Sequence, residues 1–186
     1  GSTATDTDSV KVEVLGTGGG ETLTGSSGDD WLSAGAGNDT LTGNNGADML
    51  IGGAGNDTLT GGLGSDVFRW QLADRGAAGT PATDTVTDFN VAAASSGGDV
   101  LDLRDILVGE NNGGAVPGNL DDFLHFEVLS GNTLVHISST GGFSSGYSAA
   151  AEDQTITLTG VDLVTGFSND NAIITDLLTK SKLITD

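Results

Sequence analysis

Large apolar side chains recur every nine residues over one stretch of this chain, at Leu23, Leu32, Leu41, Leu50, Leu59 and Phe68. They occupy position 8 of six uninterrupted units: GTGGGETLT (16–24), GSSGDDWLS (25–33), AGAGNDTLT (34–42), GNNGADMLI (43–51), GGAGNDTLT (52–60) and GGLGSDVFR (61–69). Position 4 is always glycine (Gly19, Gly28, Gly37, Gly46, Gly55, Gly64), and position 6 is always acidic (Glu21, Asp30, Asp39, Asp48, Asp57, Asp66). Self-similarity at a fixed period is the signature of a repeat architecture. Six residues rich in Gly and Asn make a turn that tolerates positive φ. The next three make a short strand whose middle side chain points away from its two neighbours. Two units thus form an 18-residue coil of turn, strand, turn, strand. Coils stack as parallel strands about 4.8 Å apart, with position 8 inside. The predicted class is all-β: a parallel β-roll of six nonapeptide repeats, followed by a β-rich cap that ends in a short helix.

Stacking sets the acidic residue of one turn above that of the turn two units earlier. Such a row of carboxylates repels itself unless a hard cation lies between the rungs. Calcium suits the place, because it accepts 6–8 carboxylate and carbonyl oxygens in flexible geometry, whereas magnesium demands a stricter octahedron.

These units resemble the RTX proteins, whose GGxGxDxUx nonapeptide binds calcium. The resemblance implies an ion between turns n and n+2, held by positions 2, 4 and 6 of the first and 1, 3 and 6 of the second. Carried over, one site joins Ser26, Gly28 and Asp30 to Gly43, Asn45 and Asp48, and the next on that edge joins Asn44, Gly46 and Asp48 to Gly61, Leu63 and Asp66. On the opposite edge Gly35, Gly37 and Asp39 pair with Gly52, Ala54 and Asp57. Thr17, Gly19 and Glu21 pair with Ala34, Ala36 and Asp39, where Glu21 departs from the family's Asp. The resemblance implies about four ions between turns, and one or two more where Asp57 (with Gly53 and Gly55) and Asp66 (with Gly62 and Gly64) meet the cap, so roughly 4–6 in all.

Positions 7 and 9 point outward and give the roll two faces. Odd units present Thr22/Thr24, Thr40/Thr42 and Thr58/Thr60; even units present Trp31/Ser33, Met49/Ile51 and Val67/Arg69. The second face is too apolar to stay wet, so residues 70–186 are expected to pack on it against Trp31 and Met49. The threonine face is read as ordinary exposed strand formers; the alternative is a water-ordering, ice-binding array, which three rungs make very small.

Beyond Arg69 the nonads stop. DTVTDFN (84–90) and GDVLDLRDIL (98–107) come after a connection, and alternation in FLHFEVL (123–129), TLVHIS (133–138) and QTITLTG (154–160) predicts antiparallel strands. Gly-rich segments at 109–118 and 139–148 are loops. Ile173, Ile174, Leu177 and Leu178 form one helical stripe, capped by Ser168 or Asp170, with Lys180 and Lys182 at the C-terminal dipole. This region resembles the C-terminal secretion-target domain of large bacterial RTX adhesins, through GSDVFRWQLADRG, DTVTDFN, GDVLDLRDIL, ITLTGVDL and NDNAIITDLL. The resemblance implies an uncleaved type I secretion signal at about 168–186. Asp84, Asp88, Asp99 and Asp102 are either a further calcium site or solvated acidic loops. The organisation expected is a lead-in strand or linker at 1–15, the roll at 16–69 and the cap at 70–186.

Composition narrows the functions. Six Lys+Arg against 26 Asp+Glu give a formal net charge of −20, which disfavours a nucleic-acid partner. Cysteine is absent, which removes disulfides and thiolate zinc sites. No apolar run is long enough to span a bilayer, and the N-terminus shows no signal-peptide pattern. Gly142-Phe143-Ser144-Ser145-Gly146 matches a nucleophile elbow, but His125 and His136 both precede it, against the required order. The histidines form no HExxH, and carboxylates come after each GxG where a phosphate would lie. The chain is expected not to be an enzyme. The expected function is a calcium-dependent folding and type I secretion module at the C-terminal end of a secreted, cell-surface adhesin involved in attachment and biofilms, monomeric in isolation. The alternatives are the same module on an exported protease or lipase, or a ligand-binding module of the adhesin tip.

Overall fold

The computed structural model describes residues 3–5, 13–111 and 118–185. Two short leading strands, β1 (Thr3–Thr5) and β2 (Glu13–Leu15), precede the nonads. The nonads supply β3 (Thr22–Thr24), β4 (Trp31–Ala36), β5 (Thr40–Asn45), β6 (Met49–Ala54), β7 (Thr58–Leu63) and β8 (Val67–Gln71). The later elements are β9 (Ala82–Val86), β10 (Val100–Asp105), β11 (Leu124–Leu129), β12 (Asn132–Ile137), β13 (Gln154–Leu158), α1 (Asp170–Thr179) and β14 (Leu183–Ile184).

Odd and even strands up to β10 separate into two sheets, as an 18-residue coil requires. One runs β1-β3-β5-β7-β9-β13-β12-β11 and the other β14-β10-β8-β6-β4-β2. Within the roll the pairing is parallel and in register, with Leu23 beside Leu41 beside Leu59 and Leu32 beside Leu50 beside Phe68. These position-8 side chains are 0–1% exposed and meet between the sheets. Burial of such side chains stabilises the fold by about 1.5–3 kcal/mol each.

The turns need glycine for a steric reason. Gly55 and Gly64 at position 4 have φ of 140° and 143°, and a Cβ on either would lie 1.7 Å from the carbonyl of Gly37 or Gly46 in the coil below. No side chain fits where one backbone rests on another at this distance.

The Trp31/Met49 face is covered only in part, with Ile51 on it 4% exposed. Trp31 stays 41% exposed, and the cap instead prolongs both sheets along the roll axis. β9 pairs parallel with β7 (Thr58 beside Thr85, Leu59 beside Val86), and β10 pairs parallel with β8 (Val67 beside Val100, Phe68 beside Leu101). The open edges of β7 and β8 carry a row of unpaired backbone groups, and pairing them outweighs covering one apolar face. The next rungs are β13 beside β9 and β14 beside β10, both parallel. The three strands expected to be antiparallel are so among themselves, β11 with β12 and β12 with β13, while β13 also joins the parallel stack through β9.

Two details of the C-terminal segment also differ from expectation. Asn169 caps α1, its Oδ1 accepting from Ala172 N at 3.0 Å. Ile173, Ile174 and Leu177 are buried as the stripe predicts. Lys182, expected at the helix dipole, is instead 1% exposed, where its Nζ donates to the carbonyls of Asn90, Ala92 and Asp99 at 2.5–2.8 Å. Burial pulls its pKa down to about 8.

A candidate calcium ladder on each edge of the roll

The position-6 residues form two ladders. In each, the backbone N–H of one rung donates to Oδ1 of the rung above: Glu21 N to Asp39 and Asp39 N to Asp57 on one edge, Asp30 N to Asp48 and Asp48 N to Asp66 on the other, at 2.7–2.9 Å. Both ladders then continue into the cap. Asp57 N donates to Asp84 Oδ1 at 2.7 Å, and Asp66 N to Asp99 Oδ1 at 3.0 Å. Asp84 and Asp99 are therefore further rungs, separated in sequence by 27 and 33 residues from the rungs before them.

The second carboxylate oxygen divides the rungs into two kinds. Asp39, Asp48, Asp57 and Asp66 are 0–2% exposed, and among the described residues Oδ2 of each has no hydrogen-bond partner. A buried acceptor left this way costs about 1–3 kcal/mol, more when charged. The end rungs differ. Thr17 N donates to Glu21 Oε2 at 2.7 Å, with Thr17 Oγ1 on Oε1, and Ser26 N donates to Asp30 Oδ2 at 2.6 Å. Asp84 Oδ2 accepts from Trp70 Nε1 (2.7 Å) and Gln154 Nε2 (2.9 Å). Asp99 Oδ2 accepts from Asn90 N at 2.7 Å.

Burial, joined by neighbouring carboxylates, pushes Asp57 and Asp66 up to about 7 and Asp48 to about 6. Asp39 is raised for the same reasons. A carboxylate held this way needs either a proton or a cation.

The donor set fits calcium. Carbonyls approach the partnerless oxygens: the point where a Cβ on Gly43 would stand lies 2.2 Å from Asp48 Oδ2 and 2.6 Å from the Gly61 carbonyl, which belongs to the turn two units on. Among the described residues no three His, Asp or Glu side chains converge on one point, so an ion here would complete its shell with backbone carbonyls. Calcium accepts such mixed oxygen shells readily. Of the carbonyl-bearing residues expected as ligands, those at 34–36, 43–45, 52–54 and 61–63 form the ends of β4, β5, β6 and β7, which run three residues further than the sequence predicts. Asp84, Asp88, Asp99 and Asp102 do not gather into one site. Asp84 and Asp99 stand on different ladders, Asp88 accepts from Gly61 N and Gly62 N, and Asp102 is held by Arg104 at 2.7 Å.

The elbow-like pentapeptide lies in a loop without a strand before it or a helix after it. Ser144 and His125 line the same polar cleft as Asp170, and His125 Nδ1 meets Asp170 Oδ2 at 2.8 Å. Among the described residues, however, Ser144 makes no hydrogen bond to either histidine, so nothing activates its hydroxyl.

Comparison with known proteins agrees with this geometry. The RTX calcium-binding nonapeptide repeat (4 copies) matches residues 15–50 and 42–69. No curated protein matches the chain. The solution structure of the AlgE6R3 subunit of the Azotobacter vinelandii mannuronan C5-epimerase is similar, at 28% identity, TM-score 0.56, and coverage of 84% of this chain and 78% of that one. The AlgE6R2 subunit of the same epimerase is similar at 26% identity, TM-score 0.54, and coverage of 85% and 89%.

Proposed function

We propose that this chain, a non-catalytic module whose residues 15–69 are an RTX-type calcium-binding repeat region in a β-roll related to the AlgE R subunits, is the calcium-triggered folding and type I secretion module at the C-terminal end of an extracellular bacterial adhesin. The observation that carries the calcium-dependent part is the set of four buried aspartate oxygens without partners, at Asp39, Asp48, Asp57 and Asp66. Without a cation these groups oppose compaction, and the glycine-rich turns add backbone entropy to the cost. Bound calcium supplies the positive charge that the ladders lack, so its binding energy becomes folding energy. With dissociation constants near ~0.1 mM, within the range of extracellular modules, about 1 mM free calcium contributes about 1.4 kcal/mol per site and about 5–6 kcal/mol from four. At submicromolar calcium the contribution vanishes. The chain then leaves the cytosol unfolded, C-terminus first through the segment at about 168–186, and folding outside prevents its return.

A second reading has support of its own. The related R subunits belong to an enzyme, a mannuronan C5-epimerase, which favours the same module attached to an exported enzyme. Sequencing the parent gene upstream separates the two: long tandem repeats indicate an adhesin, a catalytic domain an exported enzyme. Circular dichroism during a calcium titration tests the folding claim itself. Strand signal that appears only with calcium supports it, and a fully folded chain in excess chelator overturns it.

A further inference from the structure

The six nonad turns share a consensus but not a conformation. In the first two, the residue at position 2 (Thr17, Ser26) turns its backbone N–H onto the acidic side chain of its own turn. In the next four, position 2 is Gly35, Asn44, Gly53 or Gly62, with φ of 84–105°. These are the four turns whose aspartate Oδ2 has no partner. A positive φ at position 2 thus accompanies an open carboxylate, and an ordinary φ accompanies one already closed by protein.

The carboxylates also have a direction. Glu21 Oε2 lies beside the Ala34 carbonyl, Asp30 Oδ2 beside that of Gly43, and Asp48 Oδ2 beside that of Gly61. Each second oxygen therefore faces the turn two units further on. Asp57 and Asp66 have no such nonad ahead of them; the cap takes its place, with Asp84 and Asp99 as the next rungs. Asp84 is among the charges that raise Asp57, and Asp99 among those that raise Asp66. Beyond Asp84 the corresponding residue on β13 is Ile156, which ends that row of acids.

We propose that the calcium ions are displaced one coil toward the cap from where the repeat consensus places them. Two lie within the roll, between Asp39 and Asp57 and between Asp48 and Asp66. Two join roll to cap, between Asp57 and Asp84 and between Asp66 and Asp99. Each ion sits on the open Oδ2 of its first rung, which Asp39, Asp48, Asp57 and Asp66 have. Glu21 and Asp30 lack an open oxygen there, because the N–H groups of Thr17 and Ser26 occupy it. Asp84 and Asp99, whose Oδ2 is also occupied, act only as second rungs. This allocation rests on the calcium reading above and deepens it. It gives the cap a direct part in metal binding: the last two ions staple it to the roll.

The experiment is calcium stoichiometry on the full chain by titration calorimetry, with folding monitored by circular dichroism. The wild type is expected to bind four ions, E21Q and D30N four each, and D84N and D99N three each. Loss of an ion in E21Q or D30N with no loss in D84N and D99N overturns the allocation while leaving calcium-driven folding intact. A wild type that binds no calcium overturns both. Should D84N or D99N fail to fold, anomalous scattering from a calcium-grown wild-type crystal decides. Peaks beside Asp84 and Asp99 with none beside Glu21 agree with the allocation, and the reverse pattern contradicts it.

Discussion

The roll and the far end of the cap both bury acids, but they treat them in opposite ways. In the cap, Glu152 accepts from Tyr147 at 2.8 Å and from Thr155 at 2.5 Å and meets His136 Nδ1 at 2.8 Å. Asp153 accepts from both Ser139 N and Ser139 Oγ, and the half-buried Asp170 holds His125 and Phe126 N. Each of these carboxylates has its partners within the polypeptide. In the roll, four buried aspartates keep one oxygen bare. These cap carboxylates are satisfied by the polypeptide itself, whereas the four roll aspartates are satisfied only with cations. Metal dependence is thus a property of particular turns, not of net acidity.

The sharpest way to break this comparison is chelation. Removing calcium is expected to cost the roll about 5–6 kcal/mol and to unfold it, as loss of strand signal in circular dichroism. A smaller effect is expected from the shared interior. Leu59→Ala should destabilise the calcium-loaded chain by about 2–5 kcal/mol in chemical denaturation, since Leu59 is fully buried.

Glycines give a contrast within one residue type. Gly55→Ala places a Cβ 1.7 Å from the Gly37 carbonyl at positive φ, whereas Gly160 in the cap has positive φ but open space around it. The first should cost several kcal/mol, and the second about 1 kcal/mol, in thermal unfolding.

The effect of pH should have opposite signs in the two regions. Without metal, Asp57 and Asp66 have folded pKa values of about 7 against an ordinary 3.8. Their contribution to stability is present in full below about pH 4 and is lost as pH rises toward 7. Glu152 is shifted the other way, below its ordinary 4.5, by hydrogen bonds from Thr155, His136 and Tyr147 that outweigh its burial. Its contribution is present above 4.5 and lost as pH falls below its folded value. Metal-free chain should therefore show more strand signal by circular dichroism at pH 5 than at pH 8, and lose it again on further acidification. The smallest expected effect is on the outer face. Thr40→Ser should change stability by no more than about 0.5 kcal/mol by urea denaturation.

Much of this was legible in the sequence, for a physical reason. A strict nine-residue period leaves one register for stacking, so the Leu23–Leu41–Leu59 and Leu32–Leu50–Phe68 rows could be read directly. The continuation into the cap was harder, because the intervals 57 to 84 and 66 to 99 break the period. A signal existed nonetheless: Asp84-Thr85-Val86 repeats the pattern of Asp57-Thr58-Leu59, and Asp99-Val100-Leu101 that of Asp66-Val67-Phe68. The threonine rows continue likewise, through Thr85 and Thr87 to Thr157 and Thr159. Closure of the first two turns left a sequence signal, a hydroxyl residue at position 2 (Thr17, Ser26) where the other four units have Gly or Asn. Its meaning lies in contacts with Glu21 and Asp30 that only the folded turn makes. The buried place of Lys182 depends on the β14–β10 pairing, which no local pattern announces.

Amide hydrogen exchange, compared in calcium and in excess chelator, tests the central claim most directly. The account predicts that amides of residues 34–69 are strongly protected with calcium and exchange at unfolded rates without it. Equal protection of that stretch in both conditions would contradict it.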